Sequence, residues 1–150
     1  MVTMKAAVRR LAASAACMML AGCQLFAPGY DPQIGEATSA AYVEAAQLLS
    51  EAELGRFAEA ESFAAEVPRY ARIDAELETA ALRAGSLPAS GGGARRAREL
   101  LAEQIEGCRS RIRSLAGIHE KSGIAPDAGL TANARVSCDL AARAAVAMRD

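Results

Sequence analysis

The sequence predicts an all-α protein, specifically an antiparallel four-helix bundle with up-down-up-down connections. Alanine accounts for 37 of the 150 residues, and alanine is the strongest helix former while burying little area per residue. Apolar residues recur at alternating steps of three and four along four segments, which places them on one face of a helix. Glycines and prolines separate the four segments. We therefore expect slim helices with close axes and a modest core.

The first helix is predicted from about Glu36 to Leu54. Its apolar stripe comprises Ile34, Thr38, Ala41, Ala45, Leu48 and Ala52. Residues 24–35 hold two prolines and two glycines, which indicates a tether. Gly55 and Arg56 are predicted to form a tight turn, since glycine is common just past a helix end. The segment Leu-Gly-Arg-Phe-Ala-Glu-Ala at 54–60 resembles the inter-helix turn of a tetratricopeptide repeat, but it covers about seven residues and does not recur.

The second helix is predicted from about Phe57 to Ala84. Its stripe stays in phase across Pro68, which favours a kink over a break. Residues 85–93 are rich in glycine and indicate a loop. The third helix is predicted from about Ala94 to Gly117 or Gly123, with the stripe Leu101, Ile105, Cys108, Ile112, Leu115 and His119. The fourth is predicted from about Leu130, with Ala134, Cys138, Ala141, Ala145 and Met148 facing inward.

The chain begins with a basic head (Lys5, Arg9 and Arg10), an apolar run, and then Leu20-Ala21-Gly22-Cys23. This motif resembles the lipobox of bacterial lipoprotein signal peptides. The resemblance implies that the thiol of Cys23 is acylated and that the chain is cut before it, so residues 1–22 are a signal peptide. The 12 residues from Leu11 to Gly22 are fewer than the roughly 20 that span a bilayer. The alternative, an uncleaved anchor helix, needs a longer span, which the following proline and glycine deny.

Removal of the signal peptide leaves residues 23–150, enough for one domain. We expect a lipidated N-terminus and tether over 23–35 and a helical bundle over 36–150. In the lipoproteins that this chain resembles, an aspartate after the acylated cysteine favours the inner membrane. Gln24 stands at that position, which favours lipid anchoring at the periplasmic face of the outer membrane.

Charge is distributed unevenly along the mature chain. Residues 31–83 contain 11 acidic and four basic residues, whereas 94–150 contain seven acidic and ten basic ones. Either the two halves neutralise each other inside the bundle, or a basic face meets an acidic partner or lipid head groups. Arg109, Arg111 and Arg113 are correspondingly a solvated face or a candidate contact patch. The mature chain is net negative, which argues against nucleic acid as a partner.

The cysteines predict one disulfide. Cys17 leaves with the signal peptide and Cys23 carries lipid, so Cys108 and Cys138 remain as a pair in an oxidising compartment. Both lie on inward stripes, at matching heights if the third and fourth helices are antiparallel. A bridge would close a loop of about 30 residues and stabilise the fold by roughly 3 kcal/mol. The alternative is two buried free thiols.

No catalytic or metal site is expected from the residues. His119 is the only histidine, and its place at the end of a stripe suggests a capping or half-buried residue. Met148 would lie on the order of 25 Å from it in an antiparallel pair, so the two cannot share a haem iron. We therefore expect no cofactor and no enzyme.

The functional hypothesis is a lipid-anchored periplasmic accessory or adaptor protein that holds a protein partner near the envelope. Pilotins of secretion systems are small helical lipoproteins, and the similarity to them rests on architecture alone. The alternative is a membrane-tethered module that binds a ligand or peptide, for which a groove lined by Phe57, Phe63 and Tyr70 would be the signature.

Overall fold

A computed structural model describes residues 29–126 and 129–148 of the chain. They form α1 (Pro32–Glu53), a short 3₁₀ helix (Ala60–Ser62), α2 (Phe63–Ser86), α3 (Gly91–Ser122) and α4 (Gly129–Ala147). Each long helix packs against the next one, and α4 packs back against α1. The predicted all-α four-helix bundle is confirmed. The predicted signal peptide and Cys23 lie outside the described residues.

Helix α1 begins four residues before the predicted start. The carboxylate of Asp31 accepts a hydrogen bond from the Gln33 amide at 3.0 Å, and Pro32 occupies the first helical position. An aspartate cap followed by proline is a strong start signal, because proline lacks an amide that would need a partner there. The prediction of a tether through residue 35 and a domain from residue 36 was therefore wrong. The Gly29 amide already donates to the Pro88 carbonyl at 2.9 Å.

The connection between α1 and α2 is longer than the predicted two-residue turn. Gly55 does adopt a positive φ of 80°, but Phe57 is not helical. Its carbonyl accepts a hydrogen bond from the Ile124 amide at 2.6 Å, and its side chain is buried. The prediction that the second helix starts at Phe57 was therefore wrong. Pro68 lies in the second turn of α2, and the helix continues through it to Ser86.

The core is built from the predicted stripes. Every residue of the predicted stripes of α1 and α3 is buried, and so are the inward alanines of α4, namely Ala134, Ala141 and Ala145. Larger side chains come mainly from α2 and α3, with Ile73, Leu77, Ile105 and Ile112 among the most buried. Alanine at the facing positions lets the helix axes approach closely, which agrees with a slim bundle.

A disulfide joins α3 to α4. The sulfur atoms of Cys108 and Cys138 lie 2.04 Å apart and their Cα atoms 4.5 Å apart. Both residues are buried. The predicted pairing is confirmed, and it connects the two helices near the middle of the bundle.

The bundle has two ends, which we call the tether end and the distal end. At the tether end, Gly29 meets the segment after α2, α3 begins and α4 finishes. At the distal end, the connection between α1 and α2 packs against the segment that follows α3. None of the helices described is sufficiently long and apolar to cross a membrane.

Candidate functional site

The three arginines of the candidate contact patch do not form one surface. Arg109 has only 11% of its side chain exposed, and its Nε donates to Asp74 Oδ1 at 2.8 Å. Arg113 contacts the same oxygen at 2.9 Å. Arg111 is exposed and makes no ion pair with any described residue. Positions 109 and 113 share a helix face while 111 points elsewhere, so the prediction of a common patch was wrong.

The Arg109 guanidinium instead holds α2 against α3. Besides Asp74, it contacts Glu78 at 3.1 Å and Glu106 at 3.4 Å. The hydrogen bond with Asp74 raises the pKa of Arg109 above its ordinary value, and the charges of the three carboxylates add to this. Charge-assisted hydrogen bonds to a guanidinium are stronger than neutral ones. Arg109 is thus part of the packing between helices.

His119 lies inside the distal end, with no exposed surface. Three aromatic rings surround it, at centroid distances of 4.9 Å for Phe57, 5.4 Å for Phe63 and 5.9 Å for Tyr70. Burial lowers the pKa of His119, and the charge of Glu66 partly opposes this. The expectation of a capping or half-buried histidine was wrong, because the aromatic side chains close over it.

Two hydroxyls satisfy the imidazole of His119. Ser62 Oγ lies 2.7 Å from Nε2 and the Tyr70 hydroxyl lies 3.2 Å from Nδ1. The one hydroxyl proton of Ser62 is donated to the Glu59 carbonyl at 2.7 Å. Nε2 must therefore carry the ring proton and donate to Ser62, which leaves Nδ1 to accept from Tyr70. The tautomer follows from this donor count.

This network resembles a nucleophile, a base and an orienting group, but the hydrogen bond between histidine and serine is donated in the opposite direction. In a serine nucleophile, the histidine nitrogen must accept the hydroxyl proton. Here Nε2 of His119 donates to Ser62, and burial disfavours the imidazolium that a base would become. Burial also raises the pKa of Tyr70, so this hydroxyl stays a neutral donor. The arrangement satisfies buried polar groups rather than activating Ser62.

The sequence suggested Phe57, Phe63 and Tyr70 as the lining of a possible groove but did not predict their contact with His119. A usable signal was present. In an antiparallel pair, the start of the second helix and the end of the third lie at the same end of the bundle. Phe57 and Tyr70 are buried, so these side chains form a closed cluster. Beside Phe63 and Tyr70, the surface has a shallow depression of about 220 Å³.

A larger groove runs between the second half of α2 and the middle of α3. Its volume is about 780 Å³. Small residues line most of its length, namely Ala81, Gly85, Ser86, Ala102, Gly107 and Ser110. Leu82 stands beside them with 68% of its surface exposed. The floor of the groove is therefore largely apolar, and it is suited to a protruding apolar side chain of a partner.

Acidic side chains border this groove. Glu78, Glu103 and Glu106 each have at least half of their side chain exposed. Arg109 also reaches the border, but its charge is taken up by Asp74 and the neighbouring glutamates. The rim is therefore net negative, which favours a partner segment carrying basic residues next to its apolar one.

Within the described part of the chain, no group of three or more His, Cys, Asp or Glu side chains is arranged to hold a metal ion. No known protein family, curated protein or solved structure matches the chain.

Proposed function

We propose that this chain is the precursor of a lipid-anchored accessory protein of the bacterial envelope. After cleavage, Cys23 carries the lipid, and the helical bundle extends into the periplasm and holds a protein partner near the outer membrane. The observation that carries the proposal is Leu20-Ala21-Gly22-Cys23 behind a basic head and a short apolar run. These residues resemble a lipoprotein signal peptide and its cleavage site.

Two features of the bundle support this proposal. The Cys108–Cys138 disulfide suits an oxidising compartment, because cytosolic thiols are kept reduced. The chain is fastened to the bundle from Gly29 onward, six residues after Cys23. The bundle therefore starts close to the proposed anchor.

We expect this protein to act without catalysis. The buried histidine donates its ring proton to Ser62, and the hydroxyl proton of Ser62 is donated to the Glu59 carbonyl, so His119 does not act as a base toward this serine. The strongest ionic cluster, around Arg109, is occupied in joining two helices. The groove between α2 and α3 presents an apolar floor and charged rim, which suit binding rather than bond breaking.

The anchor is tested by expressing the full chain in a bacterium and measuring its intact mass and membrane partition. We expect a membrane protein that has lost residues 1–22 and gained the mass of acyl chains on Cys23. The Cys23→Ala variant should be neither cleaved at this position nor acylated, whereas Cys17→Ala should behave as wild type. Recovery of unmodified protein that retains Met1 from wild-type cells contradicts the proposal.

A second candidate function is a membrane-tethered module that binds a peptide, and the groove between α2 and α3 favours it. The bound segment would place an apolar side chain over Ala81 and Ala102 and basic side chains near Glu78, Glu103 and Glu106. Exposed apolar surface next to charge is typical of binding grooves.

Site-specific photocrosslinking in intact cells tests this groove. A photoreactive residue in place of Leu82, which is 68% exposed, should capture one partner segment rich in lysine or arginine. The same residue in place of Val136, which is 60% exposed on α4, is the matched control and should not. Equal capture at both positions, or capture of an acidic segment, would contradict peptide binding in this groove.

A further inference from the structure

Charge is polarised along the bundle axis. The tether end, comprising residues 29–36, 82–98 and 142–148, contains five arginines and two acidic residues. The distal end, comprising residues 51–66, 117–126 and 129–135, contains six glutamates and three basic residues. The two halves of the sequence differ in charge, and folding turns part of this difference into a difference between the two ends.

Three basic side chains of the tether end, those of Arg83, Arg95 and Arg96, are weakly paired, whereas Arg143 pairs with Asp139 at 2.8 Å. Arg95 is exposed and has no ion-pair partner among the described residues. Arg96 is 60% exposed and its nearest carboxylates are 3.6 and 3.7 Å away. Arg83 is 44% exposed and 3.4 Å from Asp31. Exposed pairs at such distances contribute little to stability, so these charges are available to a partner.

The position of the arginines opposes the helix dipole. Arg95, Arg96 and Arg98 lie in the second turn of α3, which has no acidic residue in its first turn and no side-chain cap from Ser90. Positive charge at a helix N-terminus is destabilising. Arg98 donates a hydrogen bond to the Leu87 carbonyl at 3.4 Å, but Arg95 and Arg96 have no such role in the fold, and contact with an anionic surface explains their position.

The tether end is also the end that the proposed anchor holds close to the bilayer. Gly29 is the sixth residue after Cys23, and a fully extended chain over these six steps reaches about 20 Å. Tyr30 stands at the entry point with 49% of its surface exposed. Tyrosine is favoured where an apolar phase meets water.

We propose that the tether end, through Arg83, Arg95 and Arg96, is a docking surface for the anionic head groups of the phospholipid bilayer. The proposal rests on the lipid anchor proposed above for its geometry. Docking orients the bundle with its basic end on the membrane and its acidic end outward, because anionic lipid attracts one end and repels the other. The part of the groove that Glu78, Glu106 and Arg109 line lies beyond the tether end and stays accessible to a partner.

The test uses the mature chain, residues 23–150, carrying Cys23→Ser and no lipid, so that its outcome does not depend on acylation. Flotation is measured with vesicles of phosphatidylcholine alone and with vesicles of one third phosphatidylglycerol. At about 20 mM salt, charges act over roughly 20 Å. We expect binding only to the anionic vesicles, with a steep loss as salt rises.

A matched pair of variants locates the surface. Arg95→Gln with Arg96→Gln should weaken vesicle binding about 25-fold, from about 5-fold per arginine at a membrane surface. Arg111→Gln with Lys121→Gln removes the same charge from exposed positions away from the tether end and should bind as wild type. Circular dichroism of both variants checks that they are equally folded.

Three results would overturn the proposal: equal binding to both kinds of vesicle, no binding to anionic vesicles at low salt, or equal weakening by the two double variants. An absence of vesicle binding would leave an acidic protein as the partner of these arginines. Failure of the lipid anchor appears separately, as an unmodified Cys23 in the mass of the full chain.

Discussion

Gly123 follows α3 with a φ of 72°, in the left-handed region that residues with a Cβ rarely adopt. A Cβ there would overlap the Ala58 carbonyl. This close approach allows the next amide, of Ile124, to bond the Phe57 carbonyl at 2.6 Å. The two distal connections thus meet backbone to backbone, and the aromatic cluster around His119 is closed by that contact.

Gly123→Ala is therefore expected to lower the free energy of unfolding by about 3 kcal/mol, combining the strain of a left-handed alanine with overlap in a packed contact. Gly117→Ala is the matched control. Its Cβ would meet no atom within 4 Å in the interior of α3, so it should stabilise the protein by up to about 1 kcal/mol. Urea denaturation of both variants measures the difference. A similar effect of the two substitutions would refute the role of the Ala58 contact.

Arg109 links two helices that the disulfide does not connect. Its bonds to Asp74 and Glu78 join α3 to α2, whereas Cys108 joins α3 to α4. Arg109→Gln should reduce the free energy of unfolding by about 2 kcal/mol, the range for hydrogen bonds to charged groups. Arg111→Gln, on the exposed side of the same helix, should change it by less than about 0.5 kcal/mol. Chemical denaturation checks both, and equal effects would show that Arg109 is not a structural link.

The disulfide should contribute more than any single ion pair to holding α4. Cys108→Ala with Cys138→Ala is expected to lower the free energy of unfolding by about 3 kcal/mol. Without the bridge, no closed loop restrains the unfolded chain, and its conformational entropy rises. The bridge spans a sequence separation of 30 residues. Reductant should destabilise the wild type by a similar amount and leave the double variant unchanged. If reductant has the same effect on both proteins, its action does not proceed through this bridge.

The helices could be predicted from the sequence because each one buries a stripe of regular period. Their ends were harder to place. The start of α1 was missed although Asp31 and Pro32 form a recognisable helix start. The two prolines of residues 24–35 were interpreted as part of a tether instead. The position of Phe57 could not be deduced locally. Its conformation depends on a hydrogen bond from Ile124, which lies beyond the end of another helix.

In the candidate site, too, features set by helical periodicity could be predicted, whereas those set by contacts between elements could not. Cys108 and Cys138 were paired correctly because compartment, number and helical phase all pointed to one bridge. The arginines of α3 were misjudged because the partners of Arg109 come from α2, and periodicity gives no side-chain partner across helices. The burial of His119 likewise depends on Ser62 and Tyr70, which arrive from separate elements.

Across the whole molecule, the two ends differ in what they expose. The distal end encloses His119, Tyr70 and Phe57, whereas the tether end leaves arginines exposed. The distal end therefore contributes to stability through a buried neutral group, and the stability of the entire bundle becomes sensitive to the protonation of that group. His119 is the only histidine in the chain, which makes this sensitivity measurable at one site.

Acid should destabilise the bundle through His119. Burial places its folded pKa below the ordinary value of 6.5, so the unfolded chain binds more protons as the pH falls. The free energy of unfolding is then highest above about pH 6.5 and declines below it, by at most about 1.4 kcal/mol per pH unit. The decline stops once the pH is below the folded pKa. Burial and the charge of Glu44 raise the pKa of Glu76. Protonation of Glu76 on acidification therefore stabilises the fold, which opposes the effect of His119. A comparison with a histidine variant is required to separate the two.

Urea denaturation of the wild type and of His119→Gln between pH 7.5 and pH 5 isolates this contribution, because the carboxylates are common to both proteins. The wild type should lose more stability on acidification than the variant. In the folded wild type, the single imidazole Cε1 proton resonance should not shift near pH 6.5, where an exposed histidine titrates. A resonance that titrates at 6.5 while the protein remains folded would show that the aromatic cluster admits water, and the predicted pH dependence would then be absent.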